Sequence, residues 1–266
     1  MIAARLRAQA SPYCVTYDHH MEEPGSLEVA INPVFGVPKA GNHAVAGSLE
    51  LEYGAKGWWT TALYLDGQST SREGSGFTGY RFENRFRLLM QEHWINPVLY
   101  VEFADVNGAD KISKEIVGFD SWRDLAAPIE ESRHEKKREL ETKLILSNNT
   151  HGWNFAGNLI AERHLNAAPW EFGYALATSR PLVLAATATE CRFCRENLSL
   201  GLELYGGLGE EGRMTLSETS HYVAPTIAWS LLSGTTLRVS PGWGLTANSN
   251  RAFVRLGISY EGRLFR

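Results

Sequence analysis

Apolar and polar residues alternate with a period of two along most of the chain. Val45, Gly47, Leu49, Leu51 and Tyr53 are separated by Ala46, Ser48, Glu50 and Glu52. Trp59, Thr61, Leu63 and Leu65 alternate with Thr60, Ala62, Tyr64 and Asp66. Tyr80, Phe82, Phe86, Leu88 and Met90 face away from Arg81, Glu83, Arg85 and Arg87. A two-residue period sends successive side chains to opposite faces of a strand. Each run therefore predicts a strand with one greasy face and one small or charged face. The pattern recurs over residues 95–103, 140–146, 153–162, 170–176, 198–205, 223–229, 237–245 and 254–260. With residues 25–35 the total is about twelve strands.

The connections alternate too. Residues 54–57, 91–93, 148–152 and 230–234 read as tight turns, whereas 66–76, 105–136, 208–216 and 246–251 are longer and polar. Short turns at one end and longer loops at the other are how outer-membrane barrels are built. An even strand number puts both termini on the short-turn, periplasmic side. Parity then places the charged stretch 107–135 outside, with Trp122 and Leu125 at a helix-compatible spacing. The apolar stretch 180–195 falls on the periplasmic side, as a short helix under the barrel mouth or as a further strand.

Composition narrows the class. The chain has 266 residues and a formal net charge of −4. No run of about 18 apolar residues occurs, so a transmembrane helix is excluded. The weakly acidic balance leaves no basic footprint for nucleic acid. A soluble β-sandwich would also alternate, with its greasy faces inward. Here the greasy faces carry Trp59, Tyr80, Trp153, Trp170, Trp229, Trp243 and Tyr260 near strand ends, as interfacial aromatic girdles require. The opposite faces mix Glu and Arg with Gly, Ala, Ser and Asn, as a crowded lumen needs. The expected fold is all-β: a closed antiparallel up-and-down transmembrane barrel of about twelve strands over residues 25–266, in lipid of the bacterial outer membrane. Residues 1–24 read as a tail or signal-peptide remnant, since Ala8-Gln9-Ala10 is a small-x-small site with no apolar stretch before it. Leu49, Leu51, Phe82, Phe86, Leu200, Leu202, Val239 and Ile258 should face lipid.

The segments GYRFENRFRLL, NPVLYVEF, KLILSNNTHGWNFAGNLIAE, WEFGYALATSR, LSLGLELYGGLG and HYVAPTIAWSLLSGTTLRVSPGWGLT resemble bacterial outer-membrane barrels of the transporter or phenol-degradation meta-pathway type. The resemblance covers roughly residues 25–260. It implies a signal peptide, a barrel of about twelve strands and an uptake role, and it carries no catalytic motif. Arg255-Leu256-Gly257-Ile258-Ser259-Tyr260 is similar to the terminal assembly signal of such proteins. That signal ends on an aromatic two positions after the tyrosine, where this chain has Gly262 and, later, Phe265.

Parity assigns a charged set to the lumen: Glu50, Glu52, Arg81, Glu83, Arg85, Arg87, Glu102, Glu139, Glu141, Lys143, Glu162, Glu171, Glu203, Arg238 and Arg255. Opposite charges in a narrow space must pair, because an unpaired buried charge is very costly. The set reads either as bracing that fills the barrel or as a constriction selecting polar or cationic solutes. Other chemistry is thin. Cys191-Arg192-Phe193-Cys194 is a lone CxxC that suits a local disulfide. Cys14, His19 and His20 match no metal-site spacing, and His134, His151 and His164 sit singly at loop edges, where His is usually solvated. Ser220 and His221 adjoin, but neighbours on a strand point to opposite faces, so a lipid-acting rim enzyme is the weakest reading. The sequence thus predicts no enzyme, metal or cofactor. It predicts a channel or uptake barrel for a small solute, with a closed structural barrel as the alternative.

Overall fold

The computed structural model describes residues 11–112, 115–166, 168–183, 197–231 and 234–263. Its strands are β1 (Ser26–Val37), β2 (Ala44–Lys56), β3 (Trp59–Thr70), β4 (Gly74–Arg87), β5 (Asn96–Asn107), β6 (Lys136–Thr150), β7 (Trp153–His164), β8 (Glu171–Pro181), β9 (Leu198–Glu210), β10 (Arg213–Met214), β11 (His221–Ser230), β12 (Thr235–Gly244) and β13 (Ala252–Arg263). Every pairing is antiparallel. The β1–β13 pair and the β8–β9 pair join the sheet into a closed ring of twelve strands, with β10 a two-residue hairpin arm on β9. Closure leaves the twelve-strand ring without an unpaired edge, which is what a sheet needs in hydrocarbon.

Alternation along the strands becomes an inside and an outside. Leu49, Phe82, Leu200, Leu202, Val239 and Ile258 are exposed on the outer wall, with Leu51 and Phe86 half-buried beside them. Leu99, Leu144 and Leu159 pair across β5, β6 and β7 and are likewise exposed. So continuous an apolar belt would be an aggregation hazard in water. Aromatic residues border it at the short-turn end: Trp58, Trp59 and Phe86 stack beside the β2–β3 turn, and Trp153 stacks on Phe155 beside the β6–β7 turn.

Two loops differ from the sequence expectation. The link expected at 66–76 shrinks to residues 71–73, because β3 and β4 stay paired out to Thr70 and Gly74. A bulge at Asp66/Gly67 breaks the alternation there, and one extra residue reverses the parity that marks a strand. The link expected at 208–216 is cut short in the same way, since β9 runs to Glu210 and β10 folds back on it. Residues 107–135 do form a long connection, with helices α1 (Trp122–Ala126) and α2 (Ile129–Ser132). Ser121 caps α1 through a capping box with Asp124. Of the stretch 180–195, β8 takes in the first two residues, and residues 184–195 lie outside the described residues.

Residues 11–24, expected as a tail or signal-peptide remnant, run inside the barrel and are mostly buried or half-buried. They enter at the end that holds the β2–β3 turn, where Gly25 N–H donates to the Gly54 carbonyl at 2.8 Å. Gly54 must lack a side chain, because a Cβ there would strike the Glu23 carbonyl. From the opposite end the 108–126 connection also folds inward. Ile116 and Leu125 meet Val15, Tyr205, Tyr222 and Phe253 in one buried cluster. The lumen is thus filled from both ends.

Candidate functional site

The inner wall carries the charge the sequence assigned to it, and the registers order it. Glu28 pairs across with Glu52, and Glu52 with Ala62. Ala62 then pairs with Glu83, and Glu83 with Glu102. Glu102 pairs with Glu141, and Glu141 with Glu162. Glu162 pairs with Glu171, and Glu171 with Glu210. At the other end Glu28 faces Glu261 of β13. Directly opposed residues of antiparallel strands point to the same face. The result is a row of glutamates, broken once by Ala62, that runs across ten strands. Barrel strands tilt, so a row perpendicular to them climbs. It starts near the first residues of β1, beside the entering segment, and ends at the last residues of β9, beside the long connection.

Bases sit against the lower and middle parts of this row. Arg81 Nε lies 2.6 Å from Asp66 and its Nη1 3.3 Å from Glu102. Arg85 pairs with Glu52, and with Glu83 at 2.9 Å. Lys143 Nζ lies 2.8 Å from Glu141 and 2.6 Å from Glu115 of the long connection. Aromatic faces complete the packing: Arg81 stands over Tyr64, and Lys143 over Tyr100 at 3.9 Å from the ring centre. Glu50 accepts from Tyr64 at 2.8 Å and from Asn32 at 2.7 Å. Arg81, Glu83, Arg85, Glu52, Glu102 and Glu141 thus form one mid-barrel network.

The other expected lumen residues lie outside this network. Arg87 donates to the His19 carbonyl at 2.9 Å and Arg238 to the Ser11 carbonyl at 2.8 Å, so both hold the inserted segment. Arg255 is buried against Phe253 and Tyr205. Glu139 pairs with His164 at 3.1 Å, away from the central network. His164 is therefore not the solitary, solvated histidine that its place at a loop edge suggested. Cys191 and Cys194 lie outside the described residues.

The segment 11–24 is the part of the site that the sequence did not reveal. Glu203 accepts the backbone N–H groups of Cys14, Val15 and Thr16 at 2.7, 2.9 and 3.0 Å. Asn158 brackets Tyr17 by accepting its N–H and donating to its carbonyl, both at 2.8 Å. Tyr17 donates to Glu83 at 2.9 Å, and Tyr13 to Ser179 at 2.9 Å. A faint signal was present, since Tyr13, Val15 and Tyr17 alternate like a strand and suit a buried setting. His20 pairs with Asp18 at 2.9 Å, and His19 contacts Ser147, so neither joins Cys14 in a metal site. Between the segment and the walls of β1, β2 and β13 lies a cavity of about 150 Å³, lined by Glu28, Glu50, Glu52, Arg85, Arg238 and Arg255 among others.

At the outer end the long connection crosses the top of the row. Gly118 N–H donates to the Phe172 carbonyl at 3.0 Å, and a Cβ on Gly118 would fall 2.5 Å from the Glu171 carboxylate. Burial and the charges of Asp124 and Glu171 push the Asp120 carboxyl up to about 8. Ser220 donates its hydroxyl to the Asp120 carbonyl, while His221 contacts Tyr174 at 3.0 Å. The two side chains are thus committed to different partners.

Closure, an apolar belt and a polar interior define a transmembrane β-barrel of the bacterial outer-membrane type. Among solved structures the chain is similar to an outer-membrane channel from Pseudomonas putida F1. Identity is 11% over 92% of this chain and 98% of that one, with a TM-score of 0.56. It is also matched by the NanC porin, at 10% identity over 88% and 98% of the two chains and a TM-score of 0.49. The translocator domain of the autotransporter NalP from Neisseria meningitidis matches at 10% identity over 91% and 89%, with a TM-score of 0.46. Identities this low show the fold alone. No protein-family model matches the sequence, and no curated protein is similar to it.

Proposed function

We propose that this protein is a passive channel or uptake barrel of the bacterial outer membrane, taking a small polar solute and favouring cations. The observation that carries this reading is the glutamate row climbing the lumen wall from Glu261 and Glu28 to Glu210. A ring or ladder of carboxylates lowers the energy of a cation at each step and raises that of an anion. The inserted segment 11–24 occupies the lower lumen, so it acts as the inner gate that must yield for conduction. The closer tie to phenol-degradation meta-pathway barrels rests on the sequence segments alone.

Single-channel recording in a planar bilayer under a salt gradient tests the reading. Wild-type protein should show conductance with a reversal potential on the cation side. A variant with residues 11–24 replaced by a Gly/Ser linker should conduct more. Anion selectivity, or a linker variant that stays silent, would overturn it.

A further inference from the structure

Glu139 on β6 lies directly opposite His164 on β7, and Glu162 is two residues from His164 on the same face. One ligand atom from each of the three lies within 4.8 Å of the others. A metal at 2.0–2.2 Å from each donor spaces its ligands by up to about 4.4 Å. Small side-chain movements therefore complete a site around one ion. The donors are one imidazole nitrogen and two carboxylate oxygens, a set that suits zinc and its first-row neighbours, with positions left for water.

The setting of Glu162 gives a second reason. Among the described residues its half-buried carboxylate makes no hydrogen bond or ion pair, unlike Glu52, Glu83, Glu102 and Glu141 lower in the row. The charges that act on it most are the carboxylates of Glu139, Glu141, Asp120 and Glu171. Lys137, on the face of β6 that carries Glu139, is not in ion-pair contact with any of them. Lower in the row Glu28, Glu52, Glu83, Glu102 and Glu141 each have an Arg or Lys against them. At the outer end that compensation stops just where a histidine joins the row.

We propose that Glu139, Glu162 and His164 form a binding site for a divalent transition-metal ion at the outer mouth, with Glu171 of β8 close enough to orient a metal-bound water. The site is a property of the wall between β6 and β7 and stands whether or not the barrel conducts.

Zinc alone is the probe. Purified barrel in detergent is titrated with Zn²⁺ by calorimetry, with refolding checked by the gel shift between heated and unheated samples. Wild-type protein should take up about one Zn²⁺ saturably, and a large excess of Mg²⁺ should not displace it. Glu162→Gln and His164→Gln should each weaken binding at least about ten-fold. His151→Gln, in the turn at the opposite end, should leave it unchanged. If one variant fails to refold, the other still decides. Absence of saturable uptake, or equal affinity in wild type and in a folded Glu162→Gln or His164→Gln variant, overturns the proposal. Neither result touches the channel reading, which conductance tests separately.

Discussion

Arg85 sits between Glu52 and Glu83, all three nearly shielded from solvent. Removing its guanidinium leaves two buried carboxylates without their base. Breaking a buried pair costs about 3–5 kcal/mol, more than forming it gained. Arg85→Ala should lower stability in urea titrations of the lipid-refolded protein by that order, and should widen conductance and shift it further toward cations. Arg87→Ala should cost only about 0.5–1.5 kcal/mol, because that side chain donates to a single backbone carbonyl. Glu203→Gln tests the gate at the same scale. It removes the charge that holds three successive N–H groups of the inserted segment, so the open fraction in single-channel records should rise. Hairpin order made Asp66 and Glu102 foreseeable partners for Arg81, since they lie on the adjacent strands. Glu52, which pairs with Arg85 from two strands away, was not foreseeable, because reach across a curved wall depends on the barrel radius.

The connection 108–135 behaves as an element in its own right. It docks through the Gly118–Phe172 and Trp122–Asn248 hydrogen bonds and through Leu125 packed under Gly36. Asp120 makes that docking sensitive to pH. Its carboxyl keeps its proton in the docked loop up to about 8, against an ordinary value of 3.8. The docked state therefore binds more protons between those values, and docking weakens as pH rises through that window and levels off above it. Hydrogen exchange of the Val117 and Trp122 amides should speed up from pH 5 to pH 8 beyond the intrinsic rate increase. Asp120→Asn should abolish the extra acceleration. The sequence placed this loop outside the membrane and marked α1 by the Trp122–Leu125 spacing. It did not show the loop turning inward, because the buried cluster that takes the Ile116 and Leu125 side chains draws its other members from six distant strands and the inserted segment.

At the scale of the whole barrel, the outer wall is a solvent-facing surface whose solvent is lipid. Leu144 stands at the middle of β6 with Leu99 and Leu159 on either side. Leu144→Arg should destabilise the bilayer-embedded protein by about 2–4 kcal/mol, while Glu130→Arg in α2, outside the belt, should be near neutral in the same unfolding titration. The two-residue alternation by itself determined the strands, their inward and outward faces and the membrane setting. These rest on local chemistry that each strand carries whole: apolar atoms toward lipid, polar atoms away from it. Tertiary structure alone decided three things. It set the registers that turn separate glutamates into one climbing row, it drew residues 11–24 into the lumen, and it brought His164 beside Glu139 and Glu162. Each depends on which strand lies beside which and by how many residues they are offset, and that is fixed by closing the sheet on itself. No single strand encodes it.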